Sequence, residues 1–179
     1  MRPLFCLHTL RATGPGAVPG RALATSFPDD GAAGCLVACG GENKLVHLWD
    51  VAGDAGAGAP PRQVGTLSGA GQRVNSCAFL PSRRLLASVS SDGALRVHNV
   101  ATALDGSPDD LGGGVGGAVG RGSPCEPDLV VSAHDDAVNA VAVTHDGAFL
   151  VTASSDTTVK VRGCAIAALA GNWGCMQGY

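Results

Sequence analysis

Leu86-Ala87-Ser88-Val89-Ser90-Ser91-Asp92-Gly93-Ala94-Leu95-Arg96-Val97 returns 64 positions later as Leu150-Val151-Thr152-Ala153-Ser154-Ser155-Asp156-Thr157-Thr158-Val159-Lys160-Val161. A third copy stands 49 positions upstream, as Val37-Ala38-Cys39-Gly40-Gly41-Glu42-Asn43-Lys44-Leu45-Val46-His47-Leu48-Trp49-Asp50. Self-similarity at such spacings marks an array of one supersecondary unit, because a unit of this size cannot bury its hydrophobic face without a neighbour.

The second copy shows the unit most clearly. Gln63 to Leu67 predicts a short strand, Gly69 to Arg73 a loop, and Val74 to Phe79 a second strand. Pro81-Ser82-Arg83 turns the chain, Leu85 to Ser90 is a third strand, and Ala94 to Asn99 a fourth. Asp92-Gly93 between the last two is a hairpin signal, since glycine takes a positive φ without steric penalty. In the fourth strand Leu95 and Val97 alternate with Arg96 and His98, and Val159 and Val161 alternate with Thr158 and Lys160. Period-two alternation predicts a half-buried strand, and strands in series with no helical pattern between them predict an all-β chain.

The bulk composition narrows the function classes. The chain has 179 residues, a net charge of -3 and 27 glycines; charged residues make up 15%. An acidic balance without a basic stripe argues against direct nucleic-acid or anionic-membrane contact. Aromatics are only 4%, so Ala, Val and Leu must fill the core. The seven cysteines are odd in number and form no CxxC pair, which predicts reduced thiols in an intracellular protein, cytoplasmic or nuclear. Cys35 and Cys39 do not make a zinc site, because Cys39 occupies the strand position of Ser88 and Thr152. No apolar run reaches the ~20 residues of a membrane helix. The first 28 residues carry Arg2, Arg11 and Arg21 without an acid, a faint transit-peptide pattern that membership of the array explains better.

Leu48-Trp49-Asp50-Val51 ends the first copy with a Trp-Asp dipeptide, and His134 stands 22 residues before Asp156. With the Val159-Lys160-Val161 strand, these features resemble the WD-repeat β-propeller family over about residues 22–162. The resemblance implies blades of four antiparallel strands around a channel. Expected is a partial propeller, with two complete four-stranded blades and a three-stranded third. The blade copies run at about 22–51, 64–100 and 128–162. Glycine-rich linkers separate them at 52–62 and 101–127, and a non-repeat tail follows at 163–179. Residues 1–21 form an N-terminal segment, in which Pro3 to His8 resembles the family's strand that completes the closing blade. The resemblance also implies a structural tetrad. Its members map to His134, Ser154 and Asp156, with Arg162 at the tryptophan position. In the second copy Ser90 and Asp92 match, with Ala70 at the histidine position and His98 at the tryptophan position. In the first copy Trp49 matches, Asn43 takes the aspartate position and Gly41 the serine position. No copy holds all four members, which predicts weak or divergent blades.

After Val161 the pattern stops: Arg162-Gly163-Cys164-Ala165 and the residues beyond show no alternation and no further repeat. Propellers close with typically 4–8 blades, so the sequence is expected to be a fragment that departs from its continuation at Val161-Arg162. A short, degenerate protein or a truncated product without function of its own are the other readings.

Several constellations carry less than they suggest. Gly112, Gly114 and Gly117 spell GxGxxG but follow no strand and open no helix, so they make no phosphate cradle. His134-Asp135-Asp136 is a tetrad histidine followed by an acidic loop, with no further metal ligand implied. Asp29 and Asp30 fall at a turn position. No nucleophile motif is present. The family resemblance therefore implies no enzyme, cofactor, metal or small-molecule substrate. It implies an interaction scaffold in a multiprotein complex whose partners are other proteins. The alternative is an accessory subunit of an RNA- or tRNA-modifying enzyme. Propeller loops present binding residues on one rim, here Gln72, Arg73, Asp135 and Asp136.

Overall fold

The computed structural model describes residues 22–26, 36–51, 61–80, 85–101 and 124–164. The expected strand at 3–8, the tail beyond Cys164 and most of both linkers lie outside them. Among the described residues eleven strands form three antiparallel sheets. The first holds β1 (Ala22–Ser26), β2 (Leu36–Gly41), β3 (Val46–Asp50) and β4 (Arg62–Leu67) in that order. The second holds β5 (Val74–Leu80), β6 (Leu85–Ser90), β7 (Ala94–Asn99) and β8 (Leu129–Ser132). The third holds β9 (Val138–Val143), β10 (Phe149–Ser154) and β11 (Val159–Gly163). Two four-stranded sheets and one three-stranded sheet are the all-β architecture expected of partial propeller blades. Among the described residues no helix is long and apolar enough to cross a membrane.

The register follows the repeat. Cys39 pairs with His47, Ser88 with Arg96 and Thr152 with Lys160, the same step of the central hairpin in each sheet. The tight turn of each hairpin carries one residue with positive φ: Lys44 at 65°, Gly93 at 80° and Thr157 at 67°. Glycine fits there without strain, whereas lysine and β-branched threonine do so at a cost.

Two apolar seams hold the sheets together. Ala38, Val46, Leu48 and Leu67 of the first sheet meet Val74, Cys77, Phe79 and Leu86 of the second, with Val100 beside them. Leu80, Ala87, Val89 and Leu95 of the second sheet meet Val138, Val141 and Leu150 of the third, with Ala133 from the intervening loop. The side chains are small, so each seam depends on close fit more than on large buried area per residue.

Two expectations change here. Strand β7 is not half-buried: Ala94 to His98 are all buried. The middle sheet is covered on both faces, so Arg96 and His98, the polar side of the alternation, face a seam and not water. In β11 the alternation is reversed: Val159 is 65% and Val161 63% exposed, while Lys160 and Arg162 are the half-buried side. These two valines repeat Leu95 and Val97, which in the middle sheet are buried. The second change concerns residues 124–127, read as the end of a flexible linker. Cys125 bridges in parallel to Leu67, donating to the Thr66 carbonyl and accepting from the Ser68 amide, both at 2.9 Å. These bonds pin the end of that segment beside β4.

Candidate protein-interaction rim

The turns between β2 and β3, β6 and β7, and β10 and β11 lie at one end of the sheets, and each is tied by a short polar network. In the third sheet His134 reaches Asp156 Oδ2 at 2.8 Å and Thr158 Oγ1 at 3.0 Å through Nδ1. Its Nε2 meets Thr152 Oγ1 at 2.9 Å. The imidazole is fully buried, so these contacts fix the β8–β9 loop against the turn. Arg162 donates to Thr152 Oγ1 at 3.2 Å and to the Ala133 carbonyl at 3.0 Å, and Lys160 donates to the same carbonyl at 2.9 Å. The Thr158 hydroxyl holds the Asp156 carboxyl well below its ordinary range. Desolvation works against this, and the Thr158 amide, His134 and the Asp135 amide add to it.

Ser154 is not part of this contact. Its hydroxyl donates instead to the carbonyls of Ala137 at 2.9 Å and Asp136 at 3.1 Å. Thr152, two residues earlier on β10, meets the histidine. The β9–β10 register breaks between Ala153 and Ser154, which turns the end of the strand towards the loop.

The second sheet solves the same problem with other atoms. Ala70 stands at the histidine position and packs on the first seam. Asp92 is held instead by the Gly71 amide at 2.8 Å and by Arg96 at 2.7 and 3.1 Å, with Ser90 donating to the same carboxylate. Burial would raise the Asp92 carboxyl, but Arg96, Ser90 and the amides of Ala94 and Gly71 outweigh it and hold it well below the usual range. Ser88 meets His98 Nε2 at 3.2 Å. His98 Nδ1 and Arg96 Nε are buried without a hydrogen-bond partner, a residual cost of the altered network. In the first sheet Asn43 bonds His47 Nε2 at 2.8 Å, and Gln63 bonds Nδ1 at 3.1 Å. Trp49 is buried, and Gly41 offers no side chain to this group.

His98 yields a prediction with a definite sign. Burial lowers its pKa from 6.5 to about 4; Asp128 pulls it up, Arg96 pushes it down and Glu126 pulls it up. The neutral ring is favoured by folding, so its contribution is complete above the unfolded pKa and is lost as pH falls from 6.5 towards 4. About 2 kcal/mol of stability should disappear between pH 6.5 and 5. His47, also lowered by burial, adds to the loss in the same direction. Urea unfolding across this window should show the slope, and His98→Phe should flatten it. An unchanged slope in that variant would assign the acid sensitivity elsewhere.

Cys39 and Cys77 are chemically quiet. Burial pushes the Cys77 thiol up to about 12, with Cys39 adding to the rise and a Gly40 backbone bond opposing it. Burial also raises Cys39. Both stay protonated at neutral pH, unsuited to nucleophilic attack.

An open groove of about 670 Å³ runs along the turn-bearing rim, lined by Glu42, Lys44, Gln72, Arg73, Ser91, Asp136 and Ala137. Three of the four rim residues expected from sequence lie on it: Gln72, Arg73 and Asp136. Asp135 does not; its amide donates to Asp156 Oδ2 at 3.3 Å. Ser91, next to Asp92, also lines it; Glu42 and Lys44 were missed. Their signal was charge at positions where the other copies carry Ser, Gly or Thr.

The WD domain, G-beta repeat family model matches residues 61–99 and 125–162. These segments are WD40 repeats. Each WD40 match takes in the last strand of one sheet and three strands of the next, the stagger that links successive blades. The chain is also 36% identical over 63 residues to the ribosome assembly protein SQT1 of Saccharomyces cerevisiae, across 35% of this chain and 14% of that protein. The chain thus spans a small part of the length of that relative.

Proposed function

We propose that this chain is a non-catalytic interaction module whose rim groove docks another protein of a multiprotein complex. The WD40 repeats and the likeness to a ribosome assembly protein support a scaffold in a complex. The observation that carries the docking site is the groove itself. Its walls come from the β2–β3, β4–β5, β6–β7 and β8–β9 connections, so two sheets and the loop into the third meet at one surface. The seams hold these connections in place, and polar side chains on rigidly placed loops are where binding residues concentrate. The name of the similar protein makes ribosome assembly the process to test first. An accessory role beside an RNA-modifying enzyme is the second reading, separated from the first by the proteins recovered.

A photo-crosslinking side chain at Gln72 should yield discrete protein adducts in cells, and one at His145, on the opposite rim, should not. Arg73→Ala with Asp136→Ala should reduce the Gln72 adducts about tenfold with an unchanged melting temperature. Equal labelling from the two rims would overturn the assignment.

A further inference from the structure

The groove gathers three positions at which the copies differ in charge. Glu42 stands where the other copies have Ser91 and Ser155, Lys44 where they have Gly93 and Thr157, and Arg73 where the third has Ala137. All three line the same groove. Arg73 is held ready there. Its Nε donates to Ser91 Oγ at 3.0 Å, and that hydroxyl is itself fixed by Asn75 Nδ2 at 3.0 Å. Asn75 is anchored in turn to the Val138 carbonyl at 2.8 Å. The terminal guanidinium nitrogens and the Lys44 ammonium have no partner among the described residues. Lys44 keeps its place at a φ of 65° that glycine would occupy more easily. Strain of this kind persists where the surroundings or a function demand it. Of the two acids in the groove, Asp136 accepts the Ala137 amide at 2.6 Å, and Glu42 has no partner among the described residues.

Resting on the docking site above, we propose that the groove binds an extended protein segment through a carboxylate side chain, held by the Arg73 fork with Lys44 beside it, and selects an adjacent basic residue through Glu42. A pre-oriented guanidinium fork with free N–H groups matches the two oxygens of a carboxylate. Phosphate would match it too, but a nucleic-acid backbone laid in the groove would meet Glu42 and Asp136, and the chain is acidic overall. Opposite charges side by side select a segment with the complementary pair and disfavour uniformly charged ones.

The test uses the whole chain and three capped tetrapeptides: glutamate followed by arginine between glycines, its glutamine analogue and its phosphoserine analogue. Titration is followed by the Arg73 Nε–H resonance. The glutamate peptide should shift it, the glutamine analogue should bind about tenfold more weakly, and the phosphoserine analogue no more tightly than glutamate. Lys44→Gly separates binding from folding, because the two effects have opposite signs. It should raise the melting temperature by ~3 °C through relief of strain while weakening the glutamate peptide severalfold. Thr157→Gly should give the same rise with unchanged binding. Equal binding of the glutamine analogue, tighter binding of phosphoserine, or undiminished binding by Lys44→Gly would each overturn the carboxylate assignment. If Gln72 still crosslinks while the glutamate peptide fails to bind, the docking site stands and its chemistry is wrong. If both fail, the site itself is wrong.

Discussion

Gly93→Ala should destabilise the protein by more than 3 kcal/mol. A Cβ at this position would lie 2.5 Å from the carbonyl oxygen of His134 and 3.4 Å from that of Asp136. Both are backbone atoms, so no side-chain rotation relieves the contact. The backbone φ of 80° adds the ordinary cost of a left-handed residue, about 1 kcal/mol. Lys44 and Thr157 show that the turn itself accepts a side chain, which leaves the clash as the dominant effect. Relief requires the β8–β9 loop to move away. That loop is tied to the turn by the Gly93 carbonyl, which accepts the amides of Ala133 and His134 at 3.0 Å each. Moving it would pull Ala133 from the second seam and His134 from Asp156. Urea unfolding should show a lower midpoint with an unchanged slope. A loss of only about 1 kcal/mol would mean that the loop shifts freely and that the two sheets are not coupled through this turn.

Much of this architecture is legible in the sequence. Asp92-Gly93 and the alternation around it fixed β6 and β7 to the residues observed, because turn chemistry and a period of two are local properties. Burial was not local. Arg96 and His98 look like the solvent side of a strand, and they are buried only because the first sheet packs over them. The network was misread by two residues for a related reason. Ser154 and Thr152 lie on the same side of β10 by alternation, and which one meets His134 depends on a register break that sequence spacing does not reveal. Where a tetrad member is missing, another donor fills the need: the Gly71 amide and Arg96 serve Asp92, and Arg162, at the tryptophan position itself, serves Thr152. A motif taken as four fixed positions shows gaps; the hydrogen-bond demand of the buried turn is met by whatever donor the fold brings near. The groove was half visible for the same reason. Gln72, Arg73 and Asp136 follow from loop position, whereas Glu42 and Lys44 join them only once two sheets stack.

Arg96→Ala should cost about 3–5 kcal/mol at neutral pH, the range for removing one partner of a buried ion pair. The guanidinium is buried, grips both Asp92 oxygens at 2.7 and 3.1 Å and donates to Ser90 Oγ at 2.8 Å. Its loss leaves the Asp92 carboxylate with the amides of Gly71 at 2.8 Å and Ala94 at 3.0 Å and the Ser90 hydroxyl. Burial, which pushes this carboxyl up, would then be opposed by less, and its pKa should rise. The depressed pKa of the intact pair means that its stabilisation is present above the unfolded value near 3.9 and is lost as pH falls through the lower folded value. The difference between wild type and Arg96→Ala should therefore be largest near pH 7 and shrink below about pH 4, where the carboxyl is protonated in the unfolded chain and in the variant. Adding Asp92→Asn to Arg96→Ala should recover part of the loss, because no uncompensated buried charge remains. A cost below about 1 kcal/mol with no pH dependence would place the pair among solvated surface bridges. In that case the backbone amides alone hold the turn, and Arg96 contributes chiefly through the packing of its stem against the seam.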